Sequence, residues 1–310
     1  MKRFLIKSLL FALPIILCAV ALEILLRNIP NEYSDKRECL ERTAQNIETL
    51  ALGSSHAFYG VNPEYLSMNA YNAAHVSQSL NYDYFILKKH INKLTALKTV
   101  VITVSYSSLY SNLDSGIEHW RAPYYYRYSG INETGKFIDK FEITEDAKFM
   151  DLLKKTANYY LRGKSKKTIN SYGWGISYKS AHGQDLNETG PIAAKRHTKT
   201  TQNPDEIKDV FREMNGFLES IINECEAKDA EIFLFTPPAY KTYRENLNGK
   251  QLAATLDTMT QITNKFQNCR YVNFMEDERF TAEDFYDADH LNEIGAKKLT
   301  SLIDEFISKP

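Results

Sequence analysis

The sequence predicts an α/β protein built on a parallel sheet with helices on both faces. Three observations predict it. Short apolar runs alternate with segments whose apolar residues recur at helical spacing, the order that feeds parallel strands through crossover helices. The runs are nearly continuous rather than alternating, as in "LKTVVITVSY" and "AEIFLFTPP", which suits strands buried on both faces. The chain of 310 residues, 43% of them hydrophobic, is long enough to bury one substantial core.

The elements follow in order. The chain opens "MKRFLIKSLLFALPIILCAVALEILLRNIP". Phe4 to Leu26 reaches the length of about 20 residues that a bilayer core requires, with Lys7 and Glu23 near its ends. Lys2, Arg3 and Lys7 would hold the N-terminus in the cytoplasm. Residues 1–28 therefore read as a transmembrane anchor or a signal segment. A cleaved signal is the competing reading, because Ala19-Val20-Ala21 has the small-x-small pattern that signal peptidase accepts. Residues 29–46 are a polar linker or exposed helix. "IETLALGSS" is a short strand ending at Gly53, and Ser79–Leu94 is helical. "LKTVVITVSY" is a buried strand, Asp205–Lys228 a long amphipathic helix, and "AEIFLFTPP" a strand stopped by Pro237 and Pro238. "LAATLDTMTQITNKF" is a helix, "YVNF" a short strand and "EIGAKKLTSLIDEFI" a closing helix. About 107–204 the pattern breaks into a Tyr- and Gly-rich stretch too long for a plain loop. It reads as an insertion beside the carboxyl edge of the sheet, with one or two helices around Phe141–Leu161, so the main domain is 47–310.

A formal charge of -1 offers no basic face for phosphates, so nucleic acid is not an expected partner. Cys18, Cys39, Cys225 and Cys269 have no metal-ligand spacing. No metal or organic cofactor is expected, with a metal on Asp287, Asp289 and His290 as the lesser reading.

The chemistry is carried by two distant stretches. In "LALGSSHAFYG" a glycine ends the first strand, and Ser54 and Ser55 project where an α/β sheet binds its ligands. A serine needs an adjacent base to act as a nucleophile. "FYDADHLNEIGAKKL" places Asp287 three residues before His290, so one loop can supply both the base and the carboxylate that orients it. In a doubly wound sheet the loops after the first and last strands open on one edge, which would bring Ser55 to His290. The plainer alternative makes Ser55 a helix cap. His56 reads as a packing or substrate-binding residue and Asp289 as a solvated loop carboxylate or cap. His75, His90, His119, His182 and His197 read as ordinary.

These two stretches resemble the SGNH/GDSL hydrolase superfamily, and more closely the membrane-anchored SGNH-like proteins of bacterial polysaccharide O-acetylation. The resemblance covers about Glu48–Tyr106 and Asp205–Ile307. It implies a three-layer flavodoxin-like (SGNH-type) sheet with an N-terminal transmembrane helix and a large insertion. It further implies a nucleophile at Ser55, a base at His290 and an orienting carboxylate at Asp287. No glycine occurs between Gly60 and Gly116, and "VSYSS" stands where the family carries "GxND", so two of its oxyanion donors are missing. The backbone N–H of Ser55 and the side chain of Asn72 are the expected substitutes. Trp120, Arg121 and Tyr125, with Tyr124, Tyr126 and Trp174, would form a sugar-stacking wall, or else an aromatic core inside the insertion. The function expected is an exported serine esterase or O-acetyltransferase acting on a cell-envelope or exported polysaccharide. Its setting would be a single-pass protein of the bacterial inner membrane with a periplasmic or extracellular main domain, partnered by a membrane-bound O-acyltransferase. A non-catalytic binding or assembly protein on the same fold is the alternative.

Overall fold

A computed structural model of the chain describes residues 1–133, 135–144, 149–164, 167–200 and 204–308. The chain divides into two compact units: residues 1–37 with 117–167, and residues 38–116 with 168–310.

The larger unit holds a five-stranded parallel sheet. Its strands are β1 (Thr49–Leu52), β2 (Ala70–Asn72), β3 (Thr99–Thr103), β4 (Glu231–Thr236) and β5 (Cys269–Asn273), in spatial order β2-β1-β3-β4-β5. That is the flavodoxin-like order. Thr49 pairs with Ala70 on one side and Thr99 on the other, Thr99 with Glu231, and Ile232 with Cys269. Every residue of β1 and β3 is buried, which is why these strands read as unbroken apolar runs. Only Ala70–Asn72 escaped the sequence reading, because three residues at the sheet edge carry no periodicity.

In chain order the helices used below are α1 (Lys2–Arg27), α2 (Glu32–Thr43), α3 (Ser55–Gly60), α4 (Leu80–His90), α5 (Phe149–Arg162), α6 (Leu186–His197), α7 (Pro204–Glu226), α8 (Gly249–Lys265) and α9 (Glu293–Ile307). The segment read as linker is mostly the helix α2. α9 packs an apolar face of Leu299, Leu302, Ile303 and Ile307 into the core with Ala51, Phe58, Val101, Phe233 and Phe274. Between β5 and α9 the chain forms a short antiparallel ladder, β6 (Phe285–Asp287) with β7 (His290–Leu291), where a plain loop was expected.

The expected insertion is divided. Residues 168–200 belong to the sheet-bearing unit, while 117–167 belong with α1. Of the helices expected around Phe141–Leu161, a 3-10 turn at Glu142–Thr144 and α5 are present, and 145–148 lie outside the described residues.

Candidate active site

The strand order reverses between β1 and β3, so a crevice opens beyond their carboxyl ends. The chain leaves β1 into that crevice at Gly53, whose φ of +124° lies in the region side chains rarely adopt. A Cβ here would lie 3.2 Å from the Thr103 Cβ, so the position requires glycine both for its turn and for its closeness to β3. The Gly53 N–H donates to the buried Asp83 Oδ1 at 2.8 Å, and Gln78 Nε2 donates to the same oxygen at 2.6 Å. Burial pushes the Asp83 carboxyl up to about 7, against the pull of those two donors. Asp83 on α4 therefore holds the Gly53 turn in place, a role that no local sequence signal announces.

Ser54 is the N-cap of α3 and Ser55 is its first helical residue, half-buried and facing the crevice. Ser55 is thus not a helix cap. The N–H groups of Ser55 and His56 precede the first intrahelical bonds, which Ala57 and Phe58 make to the Ser54 carbonyl.

His290 arrives from the β6–β7 turn. Asp287 Oδ1 accepts from the backbone N–H of Asp289 (3.2 Å) and of His290 (2.8 Å), and from the His290 ring Nδ1 at 2.9 Å. One carboxylate thus closes the turn and fixes the ring, which is the local reason for the D-x-x-H spacing. Asn292 follows as the N-cap of α9, accepting from Ile294 and Gly295 N–H. The far ring nitrogen, His290 Nε2, lies 2.8 Å from Ser55 Oγ across 235 positions of sequence. Ser55, His290 and Asp287 are therefore brought together in one hydrogen-bonded chain, hydroxyl to imidazole to carboxylate.

Aromatic rings enclose the imidazole. His56 stacks on His290 at 4.8 Å between centroids, with its Nδ1 3.3 Å from Ser54 Oγ. Tyr178 sits between Tyr59 and Tyr286 in a three-ring stack and presents its edge to His290 at 5.5 Å. Gly175 permits this arrangement, since a Cβ there would lie 2.3 Å from the Phe58 ring.

Asp289 differs most from its sequence reading. It is only 2% exposed, not a solvated loop carboxylate. Its Oδ1 lies 3.5 Å from His290 Nδ1, and its Oδ2 lies 3.6–3.8 Å from His56 Nε2, His197 Nδ1 and Arg196 Nη2, with no hydrogen bond to that oxygen. Burial opposes its ionisation, but the surrounding imidazoles, His290 first, hold the carboxyl well below its usual range. Burial likewise opposes charge on His290, yet Asp289 and Asp287 outweigh it and push the imidazole up to about 10. His56 is held well below its usual value by burial and by His290. His197 is lowered to about 4 by burial, against the pull of Asp289. His197 also meets Tyr243 Oη at 2.8 Å, so it is not an ordinary surface histidine. Both Arg196 and His197 end α6, whose Thr189 Oγ1 accepts from the Ala288 N–H at 3.1 Å. They come from the Tyr-rich stretch that lacked any local motif.

His56, Asp289 and His290 each offer a ligand atom, all within 4.8 Å of one another. His290, however, has its two ring nitrogens on Asp287 and Ser55, so a cation held by all three would have to break one of those contacts.

Asn72 is not placed as an oxyanion donor. Its amide donates to the carbonyls of Ala57 (2.8 Å) and Val61 (2.7 Å), and its Oδ1 accepts from Ala74 N–H. The fully buried side chain spends both protons tying α3 to the end of β2. The backbone N–H groups at the start of α3 remain as donors beside the Ser55 hydroxyl.

The sugar-stacking wall is also corrected at Tyr125. That residue is 1% exposed and packs edge-on against Tyr33, while Tyr124 stacks on Tyr33 at 5.0 Å. Arg121 lies over the Trp120 ring at 4.3 Å and pairs with Glu118. These residues form an aromatic cluster inside the smaller unit. Trp174 belongs to the larger unit, buried, with its Nε1 donating to the Tyr59 carbonyl at 2.6 Å.

No protein-family model matches the sequence, and no curated protein matches it. Among solved structures the chain is similar to a GDSL-like lipase from Bacteroides thetaiotaomicron (11% identity, TM-score 0.43, covering 90% of this chain and 98% of that one). It is similar also to a candidate acylhydrolase from Bacteroides fragilis (10%, 0.42, 87% and 95%). A third is a candidate platelet activating factor from Streptococcus pneumoniae (9%, 0.44, 96% and 98%).

Proposed function

We propose that the chain is a membrane-tethered serine enzyme of the SGNH type, an acyl esterase or O-acyltransferase. The observation that carries this reading is the contact of Ser55 Oγ with His290 Nε2 at 2.8 Å, with His290 Nδ1 held by Asp287 at 2.9 Å. Ser55 Oγ attacks the carbonyl carbon of an acyl ester while its proton passes to His290 Nε2. Asp287 and Asp289 stabilise the imidazolium that forms. The N–H groups at the start of α3 face the developing oxyanion, a contribution that is worth several kcal/mol in sites of this kind. His290 then returns the proton to the departing alcohol oxygen as the C–O bond breaks, which leaves Ser55 acylated. Water or a sugar hydroxyl gives its proton to His290 and attacks the acyl carbon; His290 passes that proton to Ser55 Oγ as the acyl–serine bond breaks, releasing acid or a new ester and restoring the free serine.

The apolar α1 supports a tether to a membrane, with Lys2, Arg3 and Lys7 on the cytoplasmic side and the sheet-bearing unit outside. A tethered enzyme fits a cell-envelope or exported polysaccharide as acceptor, and the motif resemblance points to a membrane-bound O-acyltransferase as acyl donor. The test is labelling of the full chain with a fluorophosphonate probe and turnover of an acetyl-ester chromogen. Both are expected with the native sequence and lost in Ser55→Ala, whose melting temperature stays unchanged. Absence of both from folded native protein would overturn the catalytic reading. It would favour a second one, an envelope binding or assembly protein on the same fold, which the engaged amide of Asn72 and the missing family donors motivate.

A further inference from the structure

The smaller unit contains apolar surface that the proposed chemistry does not use. α1 exposes Phe4, Leu9, Phe11, Ile15 and Val20 on its outside, and from Phe4 to Leu25 it rises about 33 Å, close to the thickness of a hydrocarbon core. Its exit from such a core would fall at residues 22–27. Residues 137–144 and 149–162 are fastened to those same turns. Glu23 accepts from the N–H groups of Glu142 (3.1 Å) and Ile143 (3.0 Å), Arg27 Nη2 donates to the Lys140 carbonyl, and Tyr160 Oη donates to the Leu25 carbonyl at 3.0 Å. Leu22, Leu26 and Ile29 pack against Leu152, with Ile143 and Tyr159 at the margin.

α5 has more apolar surface than that packing consumes. At 100° per residue, Leu152, Thr156 and Tyr159 share the packed arc. Phe149, Leu153 and Tyr160 lie beside it, followed by Met150, Ala157 and Leu161. The remaining arc holds Asp151, Lys154, Lys155, Asn158 and Arg162. Leu161 is 82% exposed and Phe149 57%. Phe137, 66% exposed, and Ile138 lead into the Lys140 carbonyl that Arg27 holds. Two apolar edges from different parts of the chain thus flank the last turns of α1. An apolar arc bordered by a mostly basic one is the signature of a helix lying in a lipid interface.

We propose that residues 137–144 and 149–162 form an interfacial seat in which Phe137, Ile138, Phe149, Met150, Leu153 and Leu161 dip into the lipid leaflet from which α1 emerges. Lys154, Lys155 and Arg162 then face the headgroup layer, where anionic lipids strengthen the contact. The occupant is a bilayer because α1, exposed and apolar along its length, ends at the turns to which these residues are fastened. This inference rests on the reading of α1 as a membrane anchor.

The test uses the full chain with Cys18 and Cys39 replaced by serine; Cys225 and Cys269 are buried. A bimane label is placed in turn at L153C, L161C, K155C and L13C, and the protein is reconstituted in vesicles of phosphatidylethanolamine and phosphatidylglycerol, with or without doxyl-labelled acyl chains. The expected result is loss of most of the emission at 13, 153 and 161, and little loss at 155. Quenching at 13 but not at 153 and 161 overturns the seat while leaving the anchor standing; a dry, unquenched label at 153 would indicate a protein partner or a second copy instead. No quenching at 13 overturns the anchor, and the seat with it.

Discussion

Replacing Asp289 with asparagine removes one of the two carboxylates that face the His290 imidazole while keeping its shape. Asp289 Oδ1 lies 3.5 Å from His290 Nδ1, so the charge centres are roughly 4.5 Å apart, and at an effective dielectric of about 20 they interact by about 4 kcal/mol. Dividing by 1.36 kcal/mol per pH unit gives a fall of about two to three units in the pH at which His290 loses its proton. The base in the proposed mechanism must be neutral before Ser55 attacks. The native rate therefore rises with pH on a limb governed by an imidazole held near 10, and in Asp289→Asn the limb moves toward neutrality. The assay is kcat/KM for an acetyl-ester chromogen across pH, paired with an NMR titration of the His290 ring. The titration reports the same proton whether or not the enzyme turns over. A merely structural aspartate would lower activity at every pH and leave the midpoint in place. A limb and a titration both unmoved in a folded Asp289→Asn protein would refute the electrostatic argument.

Three further outcomes follow from the same geometry. Asn72→Ala loses two buried hydrogen bonds to the Ala57 and Val61 carbonyls and should destabilise the fold by about 2 kcal/mol, read by chemical denaturation; a fall in kcat with unchanged stability would instead restore Asn72 as an oxyanion donor. Gly53→Ala forces a side chain into a φ of +124° beside Thr103 and should cost about 1–3 kcal/mol, together with loss of probe labelling at Ser55 as the turn shifts; retention of both stability and labelling would contradict the strain assigned to this turn. The native protein's advantage in thermal stability over His290→Gln should shrink as pH rises from about 6.5 to about 10, a difference from which the opposing titrations of Lys36 and Asp83 cancel. The raised His290 contributes stability that is fully present below about 6.5 and is lost as pH rises through about 10, whereas His197, lowered to about 4, withdraws stability as pH falls from about 6.5 toward that value. An advantage over His290→Gln that grew steadily from pH 6.5 to pH 10 would contradict this sign.

By itself the sequence determined the alternation of strands and helices, because burial on both faces leaves unbroken apolar runs and amphipathic helices leave a 3.6-residue period. It also determined the two stretches that meet. A glycine at a strand end and a D-x-x-H turn each have a local physical reason, the turn at Gly53 and the carboxylate that closes 287–290. Tertiary structure alone decided what these stretches meet. Burial of Asp289, the ring stack on His290, the anchoring of Gly53 by Asp83 and the arrival of Arg196 and His197 depend on contacts between segments far apart in the chain. No period or spacing encodes them. Asn72 shows the same limit in reverse: its amide suits either an oxyanion or a carbonyl, and only the position of α3 over the end of β2 commits both protons to Ala57 and Val61.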